Sequence, residues 1–596
     1  MRIKYFAASA LVSMPLLYPV NHALADDMLE IVVTPNRYPA KMEDSFQPVT
    51  VIDRKDIERE QPRSTEDLLK SVPGLDVVTA GGHGQQTDIY LRGNSAARVL
   101  VLVDGIRIGS ATSGGAAIQT IPPEIIERIE VIRGPRSSLY GGDAMGGVIQ
   151  IFTRRNQGPA QASVEAGAGS HETQKENLSL TGGNNTTSAG FVASHFQTEG
   201  VNATRPDSGE YTYNPDKDGF NNTSAALNVH HRISNSTDTF FTVLNSSGSN
   251  DFDAGLYTND YTDYTQTVVD AGLSSVINKK FTLNAVAGES HDYTTNFGYS
   301  SHFNTRKRNA NINGVYTFSP GTDLVAGVET LDDVVVSDTD YVEDSRRSTG
   351  VYLQQTLSSG PHSVMLGGRR ENIENFGKHN TGNVGYSFAV TKNSKITASF
   401  GQGYRVPTFN DLYYPDYANP NLVPEESNTR EIDYSACFQH GFLGVNLFHS
   451  RYRDLIVLDE NYIPQNVGHA DIRGIELEGR ADWDVWEISG NVTVLRPLNL
   501  DYDDEPDLSR RARRSANLSA DYQLQSWKFG ATVNARSKRF NDTENTEQVG
   551  GFGTTNLHAL WSVNKNLDVK FAIYNAGDKA YQTIRGYNAA DREFMT

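Results

Sequence analysis

Two short acidic stretches hold the side chains best suited to chemistry. In "NPDKDGF" Asp216 and Asp218 stand two apart ahead of Gly219, and "NDFDAGLYTNDYTDY" supplies Asp251, Asp253, Asp260 and Asp263. Oxygen-only donors at such spacing suit a hard cation such as calcium, which takes roughly six to eight oxygens, so the two stretches would have to face each other across a site. The plainer alternative is a solvated acidic surface. Other reactive patterns are missing: there is no Gly-rich phosphate loop between a strand and a helix, no HExxH and no nucleophile elbow, and the one cysteine, Cys437, sits in an alternating segment. Nothing in the sequence supports an enzyme.

The elements that must position these loops are strands. From about residue 160 onwards apolar residues recur at every second position between polar connectors. In "LDVKFAIYN" Leu567, Val569, Phe571 and Ile573 share a face; in "GIELEGRADW" Ile475 and Leu477 oppose Glu476 and Glu478; in "SAALNVHHRI" Ala225, Leu227 and Val229 do the same. One lipid-facing and one wet face is what a transmembrane β-barrel requires, and 52 Gly, 28 Tyr and 25 Phe against 38% hydrophobic residues fit it. Residues 157–596, at about 10 per tilted strand plus a similar allowance for each connection, give roughly 20 to 22 strands. Barrels of about 22 strands leave a lumen that is plugged. A secreted β-sandwich or solenoid also alternates, but would not need so much amphipathic strand without disulfides.

Residues 36–155 have the mixed texture of a small α/β domain able to fill that lumen. "STEDLLKSVPGLDVV" predicts a helix capped by Ser64 with Asp67 at its third position, ended by Pro73-Gly74. "VLVLVDGIRI" and "IERIEVIRG" read as buried strands. The expectation is therefore a 22-stranded antiparallel transmembrane barrel with an N-terminal α/β plug. Residues 1–25 read as a secretory signal, with Arg2 and Lys4 before an apolar run and Ala23-Leu24-Ala25 at the cleavage site. No later run is long and apolar enough for a membrane helix. A net charge of −19 disfavours nucleic acid as a partner.

"MLEIVVTPNRYP" is a short strand former, Leu29 to Thr34, cut off by Pro35 before any hairpin can form. Together with "RSTEDLLKSVPGLDV", "RIEVIRGPRSSLYGGDAMGGVIQIFTRR" and "YNAGDKAYQT", it makes the chain resemble the TonB-dependent outer-membrane receptors over nearly its whole length. Within that family "PDKDGF" and "YQTIRGYNAADRE" are similar to the cobalamin transporters.

The resemblance implies a bacterial outer-membrane location, with residues 26–35 as the TonB box segment. Leu29, Glu30, Ile31, Val32, Val33, Thr34 and Pro35 would contact TonB by adding a strand to it. It implies calcium held between two extracellular loops by Asn202, Asn214, Asp216, Asp218, Phe252, Asp253 and Asp260. Two of these depart from the family: Asn202 replaces an aspartate, and Phe252, in place of a tyrosine, would act through its carbonyl, so the implied affinity is weaker. Cobalamin contacts fall on Gln86, Asp88, Ser95, Thr112 and Ser113 of the plug and on Ala254, Thr305 and Arg510 of the barrel loops. A monomer is expected.

Siderophore and heme receptors are the alternatives. "YRVPTFNDLYYPDYANPNLVPEE" resembles the heme group's paired motifs, yet none of residues 406–418 is a histidine that could bind iron. A last expectation concerns closure. The family ends in a strand with a terminal aromatic residue, whereas "AADREFMT" ends at Thr596. Either the sequence is truncated in its last strand or the closing strand is short, and an unclosed edge in lipid costs several kcal/mol per unpaired backbone group.

Overall fold

The computed structural model describes residues 31–155, 158–209, 212–459, 461–466 and 468–596. The segment expected to be a signal sequence, residues 1–25, and Leu29 and Glu30 of the expected TonB box lie outside them. From Gln161 to Met595, 22 strands pair in chain order into one antiparallel sheet that curls into a barrel. The alternation read from the sequence is the wall itself. Leu227, Ile475, Leu477 and Phe571 face outwards, while Asn228, Glu476 and Ala572 are buried towards the lumen. No helix among the described residues is long and apolar enough to cross a membrane.

Two-residue turns such as Lys279-Lys280 and Asp484-Val485 join strands at one end, and long connections such as 202–217, 406–424 and 500–513 lie at the other. Short turns mark the periplasmic end and long loops the outside. Aromatic pairs lie beside the turns, Trp527 stacked on Trp561 at 5.2 Å and Trp486 tilted against Tyr522 at 4.7 Å, as in an interfacial girdle. Strands of up to 19 residues, such as Asp260–Asn278, rise well past the lipid band of about 25 Å and lift the loops clear of it.

The closing strand is short. Glu593–Met595 pairs with Ala572–Tyr574 on one side. On the other, Ala168 and Thr596 exchange two backbone hydrogen bonds of 3.0 Å. Lower on the same seam Lys570 donates to Glu165 at 2.7 Å, so the first strand, Gln161–Ala168, and Leu567–Tyr574 are also joined by an ion pair.

The plug is built on a five-stranded sheet in the order Val49–Ile52, Ile126–Arg133, Gly147–Thr153, Val99–Val103 and Ile106–Arg107. Both sequence-read strands are therefore present and buried. The helix expected after Ser64 forms as Thr65–Leu69, but the Ser64 side chain makes no capping bond. Asp67 is drawn instead to Arg63 at 2.9 Å and Lys70 at 2.6 Å. The capping box stands one helix earlier, where Asp53 and Asp56 bracket Arg54–Glu60.

The seat of the plug is two-sided. Towards strands 187–296 its core is continuous with apolar wall residues, Ile118, Ile121 and Ile125 joining Val192, Ala226, Leu244 and Val268. Towards strands 425–483 the contact is mainly ionic, beside a smaller apolar cluster of Met145 with Phe448, Tyr452 and Ile472. Arg92 binds Glu431 at 2.9 Å and Glu476 at 2.7 Å, and Arg133 binds Glu476 at 2.9 Å and Glu478 at 2.6 Å.

Candidate functional site

The N-terminal strand is folded away on the inner side of the plug. Ile31–Val32 pairs antiparallel with Ala40–Lys41, because Pro35 and Pro39 force the chain to reverse between them. Val32 is 1% exposed and Thr34 fully buried. One carboxylate oxygen of Glu130 accepts from Val33 N at 3.0 Å, Thr34 N at 2.9 Å and Thr34 Oγ1 at 2.6 Å. Tyr140 donates its hydroxyl to the Thr34 carbonyl at 2.9 Å. The free edge expected from the sequence is thus satisfied within the chain. Glu130 lies about a hundred residues away, beyond any local sequence signal.

At the outer end the two acidic stretches do face each other. Asn214 joins them, its amide donating to the Thr258 carbonyl at 3.0 Å while its oxygen accepts from Tyr257 N at 3.0 Å. Asp218 accepts from Ala203 N at 2.6 Å, and Asp253 accepts from the Thr204 hydroxyl. Asn202 turns its oxygen onto Thr204 N at 2.8 Å, and Asp216 is exposed. Asp260 keeps one buried carboxylate oxygen with no partner. Burial, with the adjacent Asp216 charge, pushes the Asp253 carboxyl up to about 6 against the Thr204 hydrogen bond. The donor set is all oxygen, as a hard cation requires. In this arrangement, however, the carboxylates are tied to backbone and hydroxyl donors, and no three acidic, His or Cys side chains among the described residues converge as metal ligands do.

The plug loops rise beneath these strands. Gln86 and Ser113 are exposed at their tips, and Asp88 lies 4.0 Å from Arg510 across the plug–barrel gap. Burial raises the Asp88 carboxyl above its ordinary range, against the pull of Arg510 and Arg511. Ser95 accepts from Arg98 at 2.6 Å, and Thr112 shares a hydrogen bond with Ser110 at 2.7 Å. Thr305 is 2% exposed and accepts from Ala111 N at 2.9 Å. It therefore joins wall to plug and offers no open face. Ala254 is half-buried beside Asp253.

Three residues missed by the sequence reading complete the vestibule. Arg511 lies over the Tyr90 ring at 4.7 Å and donates to the Gly93 carbonyl at 3.0 Å. Tyr587 pairs with Thr204 of the first acidic stretch and packs against the cluster of Val78 and Tyr90 in the plug, and so stands between the acidic loops and the plug. Its loop is tied to the first acidic stretch by Asn588, which donates to the Asn202 and Thr204 carbonyls at 3.0 and 2.9 Å. The tandem Arg510-Arg511 and the tyrosine in "IRGYNAADRE" were the available signals.

A plugged barrel with a vestibule outside and a sequestered strand inside defines a gated outer-membrane receptor. The chain belongs to the TonB-dependent receptors: the TonB-dependent Receptor Plug Domain matches residues 41–148, and the TonB dependent receptor-like beta-barrel matches residues 162–576. It is 30% identical over 97% of its length, and 97% of the relative's, to the vitamin B12 transporter BtuB of Photobacterium profundum. Among solved structures it is similar in fold to the siderophore receptor PiuA of Acinetobacter baumannii, with a TM-score of 0.79 at 18% identity over 93% of this chain and 97% of the other. The ferric-catecholate import receptor Fiu of E. coli K12 gives 0.78 at 16% over 94% and 97%. The chain is accordingly an outer-membrane transporter of a TonB-dependent family and not an enzyme.

Proposed function

We propose that this receptor carries cobalamin across the outer membrane, with calcium ordering its outer loops and TonB supplying the work. The observation that carries the reading is the end-to-end similarity to a vitamin B12 transporter. The join between loops 575–592 and 202–217 supports it, since those two stretches carried the cobalamin-receptor resemblance. Small polar plug tips suit a large hydrophilic corrinoid bound by shape and hydrogen bonds. Gln86, Asp88, Ser113 and Arg510, with Arg511 and Tyr587, are the residues assigned to it. Asn214, Asp216, Asp218, Asp253 and Asp260 are assigned to calcium, whose bound charge would relieve the repulsion among the carboxylates.

Cargo at the plug tips would favour release of residues 29–35, which would then pair with an edge strand of TonB in place of Ala40–Lys41. Such coupling is reciprocal: TonB binding must raise cargo affinity by the same factor. The siderophore reading stands second, favoured by fold neighbours that are a siderophore receptor and a ferric-catecholate import receptor. Titration of the purified receptor with cyanocobalamin, heme and a ferric catecholate distinguishes them. Saturable binding of cobalamin alone is expected; preference for the catecholate would overturn the reading.

A further inference from the structure

The apolar side of the plug seat contains one group out of keeping with its surroundings. Asn228, Thr242 and Asp270 stand directly opposite one another on three successive wall strands, all turned to the lumen and 5%, 1% and 1% exposed. The Asp104-Gly105 turn of the plug lines the same cavity as Asn228 and Thr242. Thr153 donates to Asp104 from its hydroxyl at 2.7 Å and its N–H at 3.2 Å. Asn228 spends its amide on the Thr153 hydroxyl at 2.9 Å and the Thr242 hydroxyl at 3.4 Å.

That leaves an excess of acceptors. Neither carboxylate oxygen of Asp270 accepts a hydrogen bond of good geometry, although the Thr242 hydroxyl lies alongside, and the Asn228 oxygen has no partner either. The cations that line the neighbouring cavity, Arg128, Arg155 and His230, form no ion pair with Asp104 or Asp270 among the described residues; Arg128 pairs with Glu130 at 2.9 Å. A buried carboxylate without donors is strongly unfavourable. Both Asp104 oxygens are already held by Thr153, so one shared proton would satisfy a single contact and leave the Asn228 oxygen and the second Asp270 oxygen unmet. A small hard cation meets them together, with water completing its shell.

We propose that Asp104 of the plug and Asp270 of the barrel, with Asn228 and Thr242, form a calcium-type cation site that ties the plug to the wall. The site is separate from the outer loops and does not rest on the cargo assigned above.

The test is equilibrium dialysis of the mature receptor in detergent against calcium, with bound metal counted per chain. Asp270→Asn is expected to lose one equivalent relative to the parent, whereas the loop variant Asp216→Asn/Asp218→Asn keeps that equivalent. Should Asp270→Asn fail to fold, Asp104→Asn gives the same reading, because asparagine tolerates the turn's φ of +46°. Calcium content equal to the parent's in the folded variant overturns the proposal. Equal content with a raised melting temperature would identify a shared proton in place of the cation, and overturns it as well.

Discussion

Replacing Glu130 with alanine should free the N-terminal strand without any cargo. One oxygen of that carboxylate holds Val33 N, Thr34 N and Thr34 Oγ1 at 3.0, 2.9 and 2.6 Å. Hydrogen bonds to a charged acceptor contribute about 1.5–3 kcal/mol each. The three share one oxygen, and the released donors find water once the segment opens, so about 3 kcal/mol is a reasonable sum. At about 1.4 kcal/mol per decade, the open population should rise roughly 10²-fold. Opening still has to break the Ile31–Val32 ladder and the Tyr140 contact, so the closed form remains the majority. The assay is the rate at which a thiol reagent modifies Val32→Cys, a position 1% exposed, with and without Glu130→Ala. Glu130→Gln, which keeps a neutral acceptor, should fall between. Equal rates in all three backgrounds would show that the ladder alone holds the strand, and the latch would be refuted.

The Asp253 carboxyl, raised to about 6, favours the closed acidic loops below its unfolded value near 4 and loses that contribution as pH rises through 6. Calcium-free loops should therefore be more open to protease at pH 7.5 than at pH 5, and calcium affinity by calorimetry should climb across the same interval. Gly84→Ala sets a side chain at φ +71° against the Phe220 ring; strain of about 1–2 kcal/mol should weaken cargo binding roughly tenfold, and unchanged affinity would remove this loop from the vestibule. Arg92→Leu strands the buried Glu431 carboxylate and leaves Glu476 with Arg133 alone, and should cost about 3–5 kcal/mol, read as a lower melting temperature. Ser64→Ala should leave that temperature unmoved, while Asp53→Ala should cost about 1 kcal/mol through its lost cap.

Period-two patterning made the wall legible, because lipid on one side and water on the other impose a chemical contrast at each step of a strand. Ile475 against Glu476 is enough to orient a strand. The box was legible as a strand lacking a hairpin partner, but its resting partner was not, since Glu130 and Ala40–Lys41 are chosen by tertiary packing. Ser64 failed as a cap for a related reason: the spacing to Asp67 is right, yet Arg63 and Lys70 compete for that carboxylate with full charges. The acidic loops were found because carboxylates announce themselves. Tyr587 was not, because a tyrosine in a loop has no spacing rule, and Thr305 carried no sign that Ala111 would cover it.

The two-sided seat bears on how such a plug can move at all. Inter-domain contacts that are polar permit relative motion, whereas large apolar ones resist it. Along strands 425–483 the plug is held by Arg92 and Arg133 on glutamates. Those charges can exchange partners for water as the lumen hydrates, so this side can slide once a pull begins. Along strands 187–296 Ile118, Ile121 and Ile125 are packed against Val192, Leu244 and Val268, and although the hydrogen bonds beside them, such as Thr120 to Gln266, can pass to water, parting the apolar groups exposes surface at about 25 cal/mol per Å². If a pull enters through residues 29–35, as proposed above, the ionic side is therefore expected to yield first. The apolar side, with the Asp104–Asp270 site proposed within it, is expected to part last and so to serve as the hinge if the plug turns.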